Sequence, residues 1–159
     1  MGALRKILRT GRVAEPLPAP SADTASGFGR IAGSVQLRHV DAGSCNGCEI
    51  EIGNAFGPVY DAERHGLRLV ASPRHADALL VTGPVTRNMA DPLRRTLDAT
   101  PQPRRVVAVG DCALNCGAFV GAYGVEGPVA EVVPVDVGIA GCPPEPADIV
   151  ATLRGLTGR

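Results

Sequence analysis

Aromatic side chains are scarce in this sequence, which has no tryptophan and only 3% Phe, Trp and Tyr among its 159 residues. Few rings are therefore available to stack on nucleic-acid bases. The formal net charge is zero, so no overall field attracts a polyanion. No run approaches about 18 consecutive apolar residues, the length typical of a transmembrane helix. We therefore expect neither a nucleic-acid partner nor a membrane-spanning segment.

The N-terminal residues also lack the apolar core of a secretory signal, and no twin-arginine pair precedes such a core. We therefore expect a cytoplasmic protein. The sequence contains five cysteines. In a reducing compartment, cysteines favour metal or redox chemistry over a disulfide framework.

The N-terminal segment differs in composition from the rest. Residues 1–13 contain four basic side chains and no acidic one, with Leu4, Ile7 and Leu8 on one helical face. This pattern predicts a short basic amphipathic helix suited to a membrane surface or a partner's groove, or else a frayed basic terminus. Residues 15–33 are rich in Pro, Ala, Gly and Ser, which is typical of an extended arm.

After this N-terminal segment, residues 1–33, strand-like and helix-like segments alternate in a single predicted domain, residues 34–159. The strand-like runs are VQLRHV (35–40), LRLVAS (67–72), ADALLVTG (76–83), RRVVAVG (104–110) and AEVVPVDV (130–137). The helix-like segments cover residues 49–64, 91–100 and 146–156. This alternation predicts an α/β fold with a parallel sheet covered by helices.

Several positions refine the predicted elements. Gly57 and Pro58 interrupt the first helix-like segment, and Asp91 is predicted to cap the second just before Pro92. Pro134 predicts that the strand over residues 130–137 lies at an edge or contains a bulge. In the third helix-like segment, the apolar residues at the core-facing spacing are Ile149, Val150, Leu153 and Leu156.

The cysteines follow predicted strands, whose carboxyl ends share one edge of a parallel sheet. Their spacing leaves several chemistries open. Zinc would use Cys45, Cys48, Cys112 and Cys116, whereas an iron–sulfur cluster would use Cys45, Cys48, Cys112 and Cys142. Cys45 and Cys48 alone would form a thiol redox pair. Buried cysteines without chemistry are a further alternative.

Four motifs in order, SCNGCEIEI, TGPVTRNM, VGDCALNCG and GCPPEP, resemble the small-subunit family shared by complex I and the membrane-bound [NiFe] hydrogenases. The resemblance covers about residues 34–155, and the stretch RTGRVAEPLP resembles the hydrogenlyase-type N-terminus. It implies a flavodoxin-like α/β domain with one [4Fe–4S] cluster on Cys45, Cys48, Cys112 and Cys142.

The first motif indicates a branch of this family. The B subunit of complex I has two adjacent cysteines there, whereas this sequence separates Cys45 and Cys48 by Asn46 and Gly47. That spacing resembles the formate hydrogenlyase and energy-converting hydrogenase small subunits. Cys116 departs from the pattern because the family usually has glycine there, and we interpret it as a spare thiol near the cluster or else as an alternative ligand.

The resemblance implies an electron-transfer subunit of an oxidoreductase complex that is not catalytic alone. The implied partners are a large [NiFe] hydrogenase-like or complex I 49 kDa-like subunit, a ferredoxin-like iron–sulfur subunit and membrane subunits. The implied location is peripheral, on the inner face of the cell membrane. The B subunit of a complex I-like NADH–quinone oxidoreductase is the alternative within the family. A zinc-stabilised scaffold or interaction domain is the alternative of another class.

One glutamate and the three histidines have side chains that can carry protons or bind metals. Glu51 matches a family position with an acid, which implies a proton relay, or else a solvated or ion-paired helix carboxylate. The three histidines, His39, His65 and His75, have no ligand-like spacing and are interpreted as structural or exposed.

Small and apolar residues are also expected at the carboxyl edge of the sheet. Residues expected to bring backbone close to the cluster are Gly43, Gly47, Gly110 and Gly141, with Pro143 and Pro144 fixing the last loop. Residues that would line the pocket, or else be ordinary turn residues, are Thr82, Gly83 and Thr86. An apolar rim for a partner is expected from Phe119, Ile139 and Ala140.

Overall fold

A computed structural model describes Arg9 and residues 33–157. The predicted basic helix and the extended arm, apart from Arg9, lie outside the described residues. Both stay predictions, as does the boundary at residue 33.

Within residues 33–157, seven strands form two sheets. In chain order they are β1 Val35–Asp41, β2 Leu67–Leu69, β3 Ala78–Thr82, β4 Val85–Thr86, β5 Arg105–Val109, β6 Val125–Gly127 and β7 Val137–Ile139. The main sheet has five parallel strands in the order β2-β1-β3-β5-β7, and β4 pairs with β6 in a small antiparallel sheet. Counted along the chain, the five parallel strands follow the flavodoxin-like order 2-1-3-4-5, as the resemblance implied.

Helices cover both faces of the main sheet. They are α1 Gly47–Ala55, α2 Arg87–Ala99, α3 Asp111–Asn115, α4 Val129–Val132 and α5 Pro146–Thr157, with single 3₁₀ turns at Ala62–His65, Pro73–His75 and Gly117–Phe119. Strand β3 at the centre is buried along its whole length. Its successive side chains point to opposite faces, so Leu80 packs in the cluster that includes α1 and α5, whereas Leu79 and Val81 pack in the cluster with α2.

The closing helix confirms the predicted apolar stripe. Ile149, Val150, Leu153 and Leu156 are all buried against the sheet. Because these side chains recur at helical spacing, they place one continuous face of α5 on the core.

Helix α2 begins earlier than predicted, so the assignment of Asp91 as its N-cap is wrong. Thr86 precedes the first helical residue, and Pro92 lies inside the helix. The apolar side chains of Ala90 and Leu93 are buried on either side of this proline. Their packing on the sheet therefore outweighs the backbone hydrogen bond that Pro92 cannot donate. Asp91 instead forms an ion pair of 2.7 Å with Arg95, one helical turn away.

The strand predicted over residues 130–137 is also wrong for most of its length. The chain forms the short helix α4, and the strand begins only at Val137. Val129 and Val133 lie four residues apart and are buried in the same cluster. Their β-branched side chains suggested a strand, but burial at a helical spacing decides the local structure. Pro134 lies in the connection between the two elements, and β7 is an edge strand.

In the part of the chain that the structure describes, no helix is both long enough and apolar enough to cross a membrane.

Replacing Leu80 by alanine should lower the free energy of unfolding by about 2–5 kcal/mol, because it leaves a cavity at the centre of the sheet. Urea unfolding followed by circular dichroism measures the change. Val59→Ala is the control, since Val59 is 82% exposed and its truncation should change stability by less than about 0.5 kcal/mol. Equal effects of the two substitutions would contradict the assigned core.

Candidate metal centre

Loops that follow three strands bring four cysteines to the carboxyl edge of the main sheet. Cys45 lies in the loop after β1, and Cys48 lies in the first turn of α1. Cys112 lies in the first turn of α3, directly after β5, and Cys142 follows β7. Since these strands are parallel, their carboxyl ends face the same side of the sheet.

The four cysteines line one pocket of about 110 Å³. Its other lining residues are Ser44, Gly47, Gly83, Asp111, Gly141 and Pro143. All four thiols are free of disulfide bonds. Cys45 and Cys142 are exposed, whereas Cys48 and Cys112 are half-buried. The pocket therefore has a buried base and a mouth at the protein surface.

The thiols at the base of the pocket are held in their protonated form. Burial, together with the negative charge of Glu49, raises the pKa of Cys48 to about 11. The other three cysteines of the pocket act on Cys48 in the same direction, which reflects their proximity. Burial also raises the pKa of Cys112. A cationic metal centre would reverse this balance, because metal ligation requires and stabilises thiolates.

The pocket suits a group larger than a single ion. No set of three or more His, Cys, Asp or Glu side chains within the described ranges converges closely enough to hold one metal ion. The thiols instead surround a space. A cluster of several iron and sulfur atoms needs ligands distributed around a volume, as Cys₄ iron–sulfur sites provide.

Backbone groups at the base also fit a thiolate-bound cluster. Gly110 has a φ of +92°, and a Cβ added there would lie 2.5 Å from the sulfur of Cys48. Any larger residue would therefore push Cys48 out of place. The backbone N–H of Ala118 donates a hydrogen bond to the sulfur of Cys112 and favours its thiolate.

Cys116 lies outside this pocket. It is buried, adopts a left-handed backbone with a φ of +66°, and lines a separate pocket of about 530 Å³ whose wall includes Arg87 and Glu131. Burial raises its pKa, and Glu131 adds to the effect. The structure therefore does not bring together the four cysteines expected for zinc, because Cys116 faces away from the other three.

Two aspartates that the sequence analysis missed fix the cysteine-bearing loops. Asp41 Oδ1 accepts hydrogen bonds of 2.8 Å from the backbone N–H groups of Gly43 and Ser44, just before Cys45. Asp111 Oδ1 accepts a 2.8 Å bond from the N–H of Gly141, whose carbonyl oxygen accepts a 2.9 Å bond from the N–H of Asp111. The residues preceding Cys112 and Cys142 are thus joined by two hydrogen bonds. The sequence signal was an aspartate at a strand end, where short polar side chains commonly bond nearby backbone.

A third acidic residue that the sequence analysis missed, Glu49, directly follows Cys48 in α1. Its Oε1 accepts hydrogen bonds from the hydroxyls of Ser44, at 2.7 Å, and Thr82. Glu51 accepts a 3.1 Å hydrogen bond from the side-chain amide of Asn54, and its relay role stays a prediction. His39, interpreted as structural or exposed, has its Nε2 2.9 Å from Thr82 Oγ1.

Other expected pocket residues have separate roles. Gly43 packs against the side chain of Thr86, and Thr86 Oγ1 donates a hydrogen bond to the carbonyl oxygen of Ala42. Thr82 is fully buried behind the pocket, while Gly83 lines it.

The expected apolar rim needs one correction, because Ile139 is buried in the core as part of β7. Ala140 is exposed and Phe119 is partly exposed. Two residues absent from the expected rim, Val120 and Tyr123, are 73% and 87% exposed and follow the 3₁₀ turn beside Cys112.

A family model described as NADH ubiquinone oxidoreductase, 20 Kd subunit, matches residues 45–156 of the chain. A probable membrane-bound hydrogenase subunit mbhJ from Pyrococcus furiosus is 48% identical over 120 residues, covering 76% of this chain and 72% of that protein. Formate hydrogenlyase subunit 7 from Escherichia coli is 48% identical over 127 residues, which cover 80% of this chain but only 49% of that protein. A B subunit of NADH-quinone oxidoreductase from Herpetosiphon aurantiacus is 48% identical over 104 residues, covering 65% of this chain and 58% of that protein.

Solved structures agree with the fold. The first is a chain of the membrane-bound sulfane sulfur reductase, an archaeal respiratory membrane complex. It has a TM-score of 0.68 and 34% sequence identity, and the match covers 77% of this chain and 68% of that chain. An NAD⁺-reducing [NiFe]-hydrogenase chain has a TM-score of 0.57 at 20% identity, covering 72% of this chain and 86% of that one. At that identity the second likeness shows the fold alone.

In the reduced, metal-free chain, alkylation of Cys48 by iodoacetamide should become faster with rising pH, with a midpoint at about pH 11. The reagent attacks the thiolate, and the raised pKa of about 11 keeps the Cys48 thiol protonated at neutral pH. Peptide mapping by mass spectrometry across a pH series measures the midpoint. The urea-unfolded chain is the control, with an expected midpoint near the ordinary value of about 8.5. The same midpoint in both states would contradict the buried position of Cys48.

Proposed function

The chain belongs to the NADH ubiquinone oxidoreductase 20 Kd subunit family, and we propose that it is the small iron–sulfur subunit of a membrane-associated hydrogenase of the formate hydrogenlyase type. Its relatives are subunits of oxidoreductase complexes, and an iron–sulfur group is inherent to the family. The observation that carries the proposal is the single pocket formed by four free cysteines from three strand ends.

The ligands in this proposal are Cys45, Cys48, Cys112 and Cys142. A [4Fe–4S] cluster bound by four thiolates supplies one-electron transfer at a potential set by burial, charge and hydrogen bonds to sulfur. The chain itself positions the ligands. The loops hold the four sulfurs around a fixed space, and the N–H of Ala118 donates to Cys112. Gly110 leaves room for Cys48 at the buried base.

The first motif favours the hydrogenase branch over the B subunit of complex I. Here Asn46 and Gly47 separate the first two cysteines, and Asn46 adopts a left-handed backbone with a φ of +73° directly before α1. The hydrogenase relatives also match over more of the chain, 120 and 127 residues against 104 for the NADH-quinone oxidoreductase relative. The B subunit of a complex I-like enzyme is the alternative within the same family.

A large catalytic subunit is the proposed partner at the mouth of the pocket. Cys45 and Cys142 are exposed there, so a cluster would reach the protein surface. The segment beside Cys112 exposes Phe119, Val120 and Tyr123. Aromatic and apolar side chains next to a redox centre suit a buried interface, which excludes water and brings donor and acceptor close. A ferredoxin-like iron–sulfur subunit and membrane subunits complete the proposed assembly.

The proposed location is the inner face of the cell membrane. Two of the similar proteins are parts of membrane-bound systems, the probable membrane-bound hydrogenase subunit mbhJ and the membrane-bound sulfane sulfur reductase. Residues 1–13 carry four basic side chains and no acid, which suits an anionic membrane surface or an acidic partner. We propose peripheral attachment through this segment and through the membrane subunits.

Replacing Cys142 by serine should remove the four-iron cluster or convert it to a form with less iron, because one of four thiolate ligands is lost. Iron and acid-labile sulfide analysis and EPR of anaerobically prepared protein measure the outcome. Cys116→Gly is the matched control: its thiol lies in another pocket, and its φ of +66° suits glycine.

The control variant should keep the cluster content and spectrum of the unmodified chain. A full four-iron signal in C142S together with iron loss in C116G would overturn the ligand set. Zinc without sulfide in the unmodified chain would favour the scaffold alternative instead.

Replacing Val120 by aspartate should reduce co-purification of the large subunit from native cells several-fold, because it places a charge in the proposed interface. Quantitative mass spectrometry of affinity-purified complexes measures the ratio of the subunits. Val59→Asp is the control, an exposed valine in the connection after α1 rather than beside Cys112. If V120D leaves the ratio of large to small subunit unchanged, this segment is not part of the interface.

A further inference from the structure

One carboxylate is enclosed next to the proposed cluster. Glu49 follows Cys48 in the first turn of α1, and its side chain is 16% exposed. Its Oε1 accepts hydrogen bonds from two hydroxyls, one on Ser44 in the loop that carries Cys45 and one on Thr82 at the end of β3. These bonds join three elements and fix the position of the carboxylate.

No lysine or arginine forms an ion pair with Glu49 among the residues that the structure describes. The nearest basic group is His39, whose Nε2 lies 3.5 Å from Glu49 Oε1. Burial lowers the pKa of His39 below its ordinary value, so near neutral pH its imidazole does not offset the carboxylate.

The second oxygen of Glu49 is poorly screened as well. Oε2 is buried and has no hydrogen-bond partner within the described part of the chain. A charge enclosed in this way is less screened by water and salt than a surface charge, so its field acts strongly on neighbouring groups. Glu49 directly follows Cys48, and Ser44, which donates a hydrogen bond to Oε1, lines the cysteine pocket.

Reduction of a thiolate-bound cluster adds one negative charge to the pocket. A fixed negative charge behind one of the ligands disfavours this reduced form relative to the oxidised form. We propose that Glu49, held by Ser44 and Thr82, is a positioning residue that lowers the reduction potential of the cluster. This inference rests on the proposed function, because it requires a redox cluster on the four cysteines.

Glu51 provides a matched comparison within the same helix. It carries the same carboxylate two residues further along α1, where it accepts a hydrogen bond from Asn54. Glu49 binds Ser44, which lines the cysteine pocket, whereas the hydrogen bond of Glu51 stays within α1. Removing either charge alters the net charge of the chain equally.

The test compares E49Q and E51Q in the full-length, cluster-containing protein prepared anaerobically. Glutamine at position 49 retains a side-chain oxygen that can accept from Ser44 and Thr82, so it removes the charge with little change in shape. Potentiometric titration followed by EPR, at one fixed pH, measures the midpoint potential of each variant. The expected result is a higher midpoint potential for E49Q, an E51Q value near that of the unmodified protein, and the same iron and sulfide content in all three.

Equal potentials for E49Q and the unmodified protein would overturn the inference while leaving the proposed function in place. An equal upward shift in E49Q and E51Q would also overturn it, because the effect would then come from net charge rather than position. If E49Q loses its cluster, Glu49→Ala is measured next. Cluster loss in both variants would assign Glu49 to cluster retention and contradict the inference. An unmodified protein without a redox-active cluster would instead contradict the proposed function itself.

Discussion

The parallel pairing of β1, β3, β5 and β7 is the constraint on which the rest of the molecule depends. Val40 pairs with Val81, Val81 with Ala108, and Ala108 with Gly138, so four strands end at the same level. A loop or a helix start that carries a cysteine follows β1, β5 and β7. A slip of one residue in any pair would move the side chains of that strand to the opposite face of the sheet and displace the loop that follows it.

Local hydrogen bonds then convert this shared edge into a defined pocket. Asp41 and Asp111 each bind backbone N–H groups next to a cysteine, which fixes loops that would otherwise have several conformations. Glu49 links the first of these loops to β3 through Ser44 and Thr82. Carboxylates that bind backbone or side chains of separate elements therefore fix the positions of the cysteine-bearing loops. The apolar core holds the strands from which these loops start.

Much of this architecture could be predicted from the sequence, because the spacing of apolar residues indicates which side chains are buried. The strand at 104–110 and the stripe of α5 follow directly from Val, Ile and Leu spacing. The start of α2 and the turn of α4 could not, since packing of Ala90 and Val129 outweighed the local signals of Pro92 and a β-branched run. The sequence also did not indicate that Glu49, rather than Glu51, binds a residue of the cysteine-bearing loop. Which of the two does so depends on which strand end meets α1, and spacing along the chain does not contain that information.

The position of the mouth of the cysteine pocket bears on whether the cluster is loaded before or after the subunits of the proposed complex dock. Cys45 and Cys142 lie at the surface, while the base is closed by backbone at Gly110 and by the thiol of Cys48. In the proposed complex, the large subunit covers this mouth. Iron and sulfide would therefore enter the pocket before docking, while the mouth is open. Quality control of such an assembly would act most effectively on the free small subunit, while the interface is still open.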